Sequence, residues 1–124
     1  NAWDNALTPG EPTGDKQLES MASLYSQQAI EIFPNLTSNI GLGNIRARWD
    51  FFGRGARFET NRLGPLGIEG LGDRAIAWGI ATQKLYPGNS KELMTYQFPW
   101  AMMLTKEKDD YWKILAIHWS HSAD

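Results

Sequence analysis

The chain has no cysteine, which excludes disulfides, thiolate metal sites and thiol nucleophiles. It has only two histidines, His118 and His121. On a strand, that spacing points them to opposite faces, so they cannot converge on one ion. No Asp or Glu stands beside them to complete a site, and neither a metal nor a cofactor is expected. Positive charge is scarce and scattered: the net charge is −2, with Lys and Arg dispersed among Asp and Glu. A nucleic-acid partner, which needs a basic stripe, is therefore not expected. No apolar run approaches the roughly 20 residues that span a bilayer, so no membrane segment is expected. A Gly-x-Ser-x-Gly nucleophile word is missing, and the glycine-rich stretches lack phosphate-loop spacing. No signal peptide is visible. Cytoplasmic location is the default expectation, with secretion or periplasmic export after processing as the alternative. The sequon Asn35-Leu36-Thr37 carries meaning only in that secretory setting.

Aromatic residues, by contrast, are plentiful. Within 124 residues, 42% of them hydrophobic, stand six Trp and five Phe. That length suits one domain, residues 1–124, with a real core. Trp3 and Leu7 read as the tail of a first helix before Pro9. Asp15 is a candidate cap for a second, in which Leu18, Met21, Ala22 and Tyr25 share a face. A short strand follows over 29–33, ended by Pro34. Asn44 is a candidate cap for a third helix carrying Ile45, Trp49 and Phe52, with Gly53 at its end. The pattern then changes to period two. A long strand over 57–71, interrupted by Gly64, Pro65, Gly67 and Gly70, turns at Gly72-Asp73 into 74–85. Pro87-Gly88-Asn89 leads to 93–105, and residues 106–110 lead to the last strand. Helices first and hairpins later predict an α+β fold, a curved antiparallel sheet with helices on one side.

Both faces of the last strand are occupied: Trp112, Ile114, Ala116, His118 and Ser120 fall on one side, Lys113, Leu115, Ile117, Trp119 and His121 on the other. One solvated face would give cleaner alternation, so a cavity and a partner subunit are the expected coverings. Side-chain size sorts by parity on the strands before it. Over 74–85 the even positions Ile76, Trp78 and Ile80 are large, and the odd positions Ala75, Ala77, Gly79 and Ala81 are small. Over 93–105 the even positions Met94, Tyr96, Phe98, Trp100, Met102 and Leu104 are all large. The expectation is that every large row faces an interior and the flat small-residue row receives a second copy. Pro99 is awkward in mid-strand and marks a bulge or an edge, beyond which parity can slip.

Element order and several words now resemble the nuclear transport factor 2-like, ketosteroid isomerase-like superfamily, with its SnoaL-like polyketide cyclase branch closest. The words are Tyr25-Ser-Gln-Gln-Ala-Ile-Glu-Ile-Phe-Pro34, Gly72-Asp-Arg-Ala-Ile-Ala-Trp-Gly79 and Trp112-Lys-Ile-Leu-Ala-Ile-His-Trp-Ser120. Residues 63–83 are also similar to the association domain of calcium/calmodulin-dependent protein kinase type II. The resemblance implies a cone-shaped sheet around a helix-capped pocket, and homodimers through the outer sheet face. It does not carry the isomerase residues over. The base position before the strand-ending Pro is Phe33, and the lumenal acid falls near Trp100 or Ala101. The pocket arginines of the kinase association domain fall near Ile80, Trp100 and Trp119.

If the parity holds, Trp78, Ile80, Trp100, Met102 and Trp119 line the pocket from the sheet, and Tyr25, Phe33, Trp49 and Phe52 close it from the helices. The expected ligand is a small apolar or aromatic molecule; a filled core is the alternative. Proton transfer would fall to Tyr25, Glu31 or His121. Glu31 shares parity with Phe33, but alternation favours Ile30 and Ile32 as the buried pair, with Glu31 in water. Enclosed, its pKa would rise toward neutrality and make it a general base. Asp50 is a weaker candidate, read as solvent-exposed. Arg57, Glu59 and Asn61 would alternate at the pocket mouth or form a solvated ladder. Enzyme, non-catalytic binder and assembly module remain open at this point.

Overall fold

A computed structural model describes residues 14–33, 38–87, 90–109 and 111–120, without the side chains of Phe52 and Gly53. The first expected helix, the Asn35 sequon, the turn at Gly88-Asn89 and His121 lie outside the described residues. Helix α1 spans Asp15–Ala22 and buries Gln17, Leu18, Met21 and Ala22. Its cap is Gly14 rather than Asp15: the Gly14 N–H donates to Gln17 Oε1 at 3.0 Å, which satisfies a donor that the first turn leaves over. Tyr25 is not on this helix. It opens strand β1, Tyr25–Ile32, which begins four residues before the expected strand. Strand β2, Asn39–Ile40, precedes helix α2, Leu42–Gly53, entered through Gly41 at φ 89°. Asn44 lies inside α2 and donates from Nδ2 to Ile40 O at 2.8 Å.

The long expected strand is two, β3 (Arg57–Arg62) and β4 (Pro65–Leu71). They part at Gly64, where φ is 62°. The Gly72-Asp73 turn leads to β5, Arg74–Tyr86; β6 (Met94–Lys106) and β7 (Trp112–Trp119) follow. The sheet order is β2-β1-β7-β6-β5-β3, with β4 also on β5. Pairing is antiparallel except between β1 and β7, which run parallel, so the curved sheet is mixed. The chain thus has an α+β architecture, with α2 packed on β1 and β2 and α1 packed on α2. Arg54 ties them together on the outside, to Asp15 at 2.7 Å and to Asp50; Arg46 pairs with Glu19 at 2.5 Å.

Register corrects the size argument. Ala77 pairs with Met102, Gly79 with Trp100 and Ala81 with Phe98, whereas Trp78 pairs with Ala101 and Ile80 with Pro99. Directly opposed residues share a face, so each large row lies beside the neighbouring strand's small row. Ala75, Ala77 and Ala81 are core residues together with Trp100 and Met102. Trp78 and Ile80, 40% and 43% exposed, look outward. Strand β6 runs through Pro99 unbroken, and Pro99 O accepts from Ser120 N at 2.8 Å.

Register shifts on β1, β3, β4 and β7 break parity elsewhere, and two of them bear on the expected rows. On β7 the pairing steps from Met103–Ala116 to Leu104–Ile114, skipping Leu115. Ile114, Ile117 and Trp119 are therefore all buried, while His118 is exposed. On β3 Glu59 is the skipped residue, so Phe58 and Asn61 both face inward, and Arg57, Glu59 and Asn61 do not form one row.

Candidate functional site: a buried carboxyl at an aromatic cavity

Strand β1 resolves its ambiguity against hydropathy. Glu31 is 0% exposed, while Ile30 and Ile32 are 37% and 38% exposed. Glu31 sits opposite Ile117 on β7 and Asn39 on β2, both buried, so its side chain is committed to the interior. A carboxyl there is costly unless other groups compensate. Tyr25 Oη donates to Glu31 Oε2 at 3.2 Å, and Trp119 Nε1 donates to the same oxygen at 3.1 Å. Oε1 is buried with no hydrogen-bond partner among the described residues. Asn39 lies close enough to favour the charged form, but its Nδ2 closes no hydrogen bond either.

Burial pushes the Glu31 carboxyl above its ordinary value of 4.5. The hydrogen bonds from Trp119 and Tyr25, the Asn39 amide and the Arg48 charge pull it part of the way back. The Tyr25 hydroxyl is held well above its usual range, first by burial and then by the neighbouring Glu31 charge. In this arrangement the Tyr25 hydroxyl stands as a hydrogen-bond donor to the acid.

Glu31 forms part of the wall of a cavity of about 260 Å³, with Phe33, Arg48, Trp49, Gln83, Phe98 and Trp119. Five elements meet here: β1 supplies Glu31, with Phe33 just past its end, α2 Arg48 and Trp49, β5 Gln83, β6 Phe98 and β7 Trp119. The rings order one another. Phe33 stacks on Trp119 with centroids 6.5 Å apart and planes 12° apart, and Phe98 meets Trp119 edge-on at 6.3 Å. The Arg48 guanidinium carbon lies 5.7 Å from the Phe33 ring centre, within cation–π reach, and Arg48 Nη2 donates to Asn39 Oδ1 at 3.4 Å. At about 30 Å³ per liquid water, the space equals roughly nine waters, below the usual range for drug-sized ligands.

Of the residues expected from sequence, Phe33, Trp49, Trp119 and Glu31 come together at this cavity. Trp100 and Met102 point inward but belong to the packed core; Trp100 Nε1 donates to Leu63 O at 2.7 Å. Trp78 and Ile80 are on the opposite face, for the register reason given above. Phe52 lies on α2, but its side chain is outside the described residues, as is His121. Asp50 pairs with Arg54, whose hydrogen bond holds the carboxyl below its ordinary value, so it is poorly suited to accept a proton. Arg48, Gln83 and Phe98 were not anticipated as lining. Phe98 already stood in the large even row of β6, and Gln83 continues the inward parity of Ala77, Gly79 and Ala81. Arg48 gave no such signal. Among the described residues no cluster of His, Asp and Glu could hold a metal. No described helix is long and apolar enough to cross a membrane.

No family model matches the chain, and no curated protein matches it. Solved structures do. A ketosteroid isomerase-like protein from Erwinia carotovora atroseptica superposes with a TM-score of 0.67 at 10% identity, covering 86% of this chain and 82% of the other. A protein described as a calcium/calmodulin-dependent protein kinase II association domain, from Xanthomonas campestris, gives 0.66 at 14% identity, over 94% and 96%. A nuclear transport factor 2-like protein with a cystatin-like fold, from Novosphingobium aromaticivorans, gives 0.64 at 15% identity, over 84% and 68%. At these identities the likeness is one of fold.

Proposed function

We propose that this chain binds a small apolar or aromatic molecule in the cavity beside Glu31 and exchanges a proton with it. The chemistry would be of the isomerase, cyclase or hydrolase type associated with SnoaL-like proteins. One observation carries this reading: a fully buried carboxyl, one of whose oxygens has no hydrogen-bond partner among the described residues, stands in the wall of an aromatic cavity. Tyr25 and Trp119 both occupy Oε2, so Oε1 is the position from which a proton is taken or returned. Burial raises the affinity of that carboxyl for a proton, as a general base working near neutral pH requires. In the proposed step a ligand C–H proton passes to Oε1, the C–H electron pair delocalises into an adjacent carbonyl, and the proton then returns at carbon or oxygen.

Arg48 and the Phe33, Trp119 and Phe98 rings would hold the ligand's flat face. The exposed outer row, which includes Ile76, Trp78, Ile80 and Met103, supports a homodimer through that face of the sheet. The test is deuterium incorporation from D2O into the activated CH2 of 2-tetralone, followed by NMR, alongside quenching of tryptophan fluorescence. Catalysed exchange that Glu31→Gln abolishes is the expected result. Saturable quenching without exchange would leave a non-catalytic binder, and absence of both would overturn the reading.

A further inference from the structure

Besides Glu31, the cavity wall carries a second polar device that the proton-transfer reading does not use. Gln83 on β5 and Asn61 on β3 are direct register partners on the inward face. Gln83 Nε2 donates to Asn61 Oδ1 at 3.2 Å. Asn61 is only 7% exposed, and its Nδ2 is buried with no hydrogen-bond partner among the described residues. A dry amide N–H is costly, and buried donors left over in this way are rare.

Two facing amides have a second arrangement. When both turn by half a rotation, Asn61 Nδ2 donates to Gln83 Oε1, and the Gln83 NH2 is released. What then stays unpaired at Asn61 is a carbonyl oxygen, a less costly orphan than an N–H. Gln83 is one of the cavity's lining residues and Asn61 is not. In the turned arrangement the freed donor therefore belongs to the residue that a ligand can reach.

We propose that the Gln83–Asn61 pair is a recognition site for a hydrogen-bond acceptor, a ketone or enolate oxygen, on the ligand of this cavity. Gln83 donates to that oxygen, and Asn61 is a positioning residue that fixes which end of the Gln83 amide faces the ligand. The class of ligand is then an aromatic or cyclic carbonyl compound rather than a hydrocarbon. Glu31 would take the proton next to the carbonyl while Gln83 stabilises the charge that develops on its oxygen. This inference rests on the cavity being the ligand site.

The experiment uses a matched pair of probes, 2-tetralone and its hydrocarbon counterpart tetralin, titrated by tryptophan fluorescence into the full chain. Gln83→Met keeps length and removes the amide. It is expected to weaken 2-tetralone roughly 3- to 10-fold, the worth of one neutral hydrogen bond, and to leave tetralin unchanged. Asn61→Ser should give a smaller loss with the same selectivity, and carries the test if Gln83→Met does not fold. In the wild type, the carbonyl stretch of carbon-13-labelled 2-tetralone should shift to lower frequency on binding, and the shift should shrink in either variant. Equal losses for both probes, or an unchanged stretch, would overturn the amide site while leaving the cavity reading intact. If neither probe binds the wild type, the cavity reading fails and the amide site with it.

Discussion

Trp119 Nε1 and Glu31 Oε2 are 3.1 Å apart across 88 residues of sequence, so the last strand supplies a donor to the acid on the first. The parallel β1–β7 pairing, which sets Glu31 opposite Ile117, makes that meeting possible. Trp119→Phe retains an aromatic ring against Phe33 and Phe98 but deletes the N–H. The expected cost is about 1–3 kcal/mol in unfolding free energy, since a buried acceptor loses one of two donors. The Glu31 pKa should rise further, because the lost bond favours the charged form. Urea titration and the carbon-13 shift of the Glu31 carboxyl measure the two effects.

Glu31 should also give stability a defined slope with pH. Its folded pKa lies above the ordinary 4.5, with burial the largest cause. Between the unfolded and folded values the native state therefore holds a proton that the unfolded chain has lost. Stability must fall as pH rises through that window, and level off above the folded pKa. Glu31→Gln, whose amide oxygen can still accept from Tyr25 and Trp119, should lack this slope and become relatively more stable toward neutral pH. Urea midpoints of both proteins from acid to neutral pH provide the check. Parallel curves would mean that Glu31 ionises without a burial penalty.

The architecture was legible because its signals are additive: glycine turns, hairpin spacing and aromatic words each point to the same element order. The interior was less so, because single bulges reverse parity. Skipping Leu115 on β7 buries Ile114 together with Ile117 and Trp119, a set no strict alternation contains. Size was a poor guide to direction on β5. Ala77 is small because Met102 stands opposite it, and Trp78 is large beside Ala101 on the outer surface. At Glu31, hydropathy chose Ile30 and Ile32 for the interior, while Tyr25 and Trp119 reverse that preference from positions no local pattern reveals.

Adjacent residues on β5 should consequently respond in opposite ways to the same charge. Ala77, 5% exposed against Met102, has no room or counter-charge for a guanidinium. Ala77→Arg should lose several kcal/mol, about 3 or more, and leave little folded protein by circular dichroism. Trp78→Arg places the same group on the outer face, where it can reach water. That variant should stay folded, and if the outer row is a dimer surface its mass by light scattering should be that of one chain. A folded Ala77→Arg beside an unfolded Trp78→Arg would reverse the faces assigned to this strand.

The break between β3 and β4 rests on Gly64 for two independent reasons. Its φ of 62° is one that residues with a β-carbon seldom adopt, and its carbonyl accepts from Ile80 N at 3.1 Å. A β-carbon added there would come within 2.2 Å of Ile80 O, a backbone atom that cannot step aside without moving β5. Backbone strain and overpacking each cost roughly 1–3 kcal/mol, so Gly64→Ala should destabilise by at least about 2 kcal/mol. Gly72→Ala serves as the control: its φ is similar, 65°, but nothing lies within 4 Å of the added carbon. The difference between the two losses in urea unfolding isolates the contact with Ile80 from the dihedral strain. Equal losses would show that strand β5 yields at Ile80, and the cavity wall at Gln83, three residues further along, would then be softer than this packing requires.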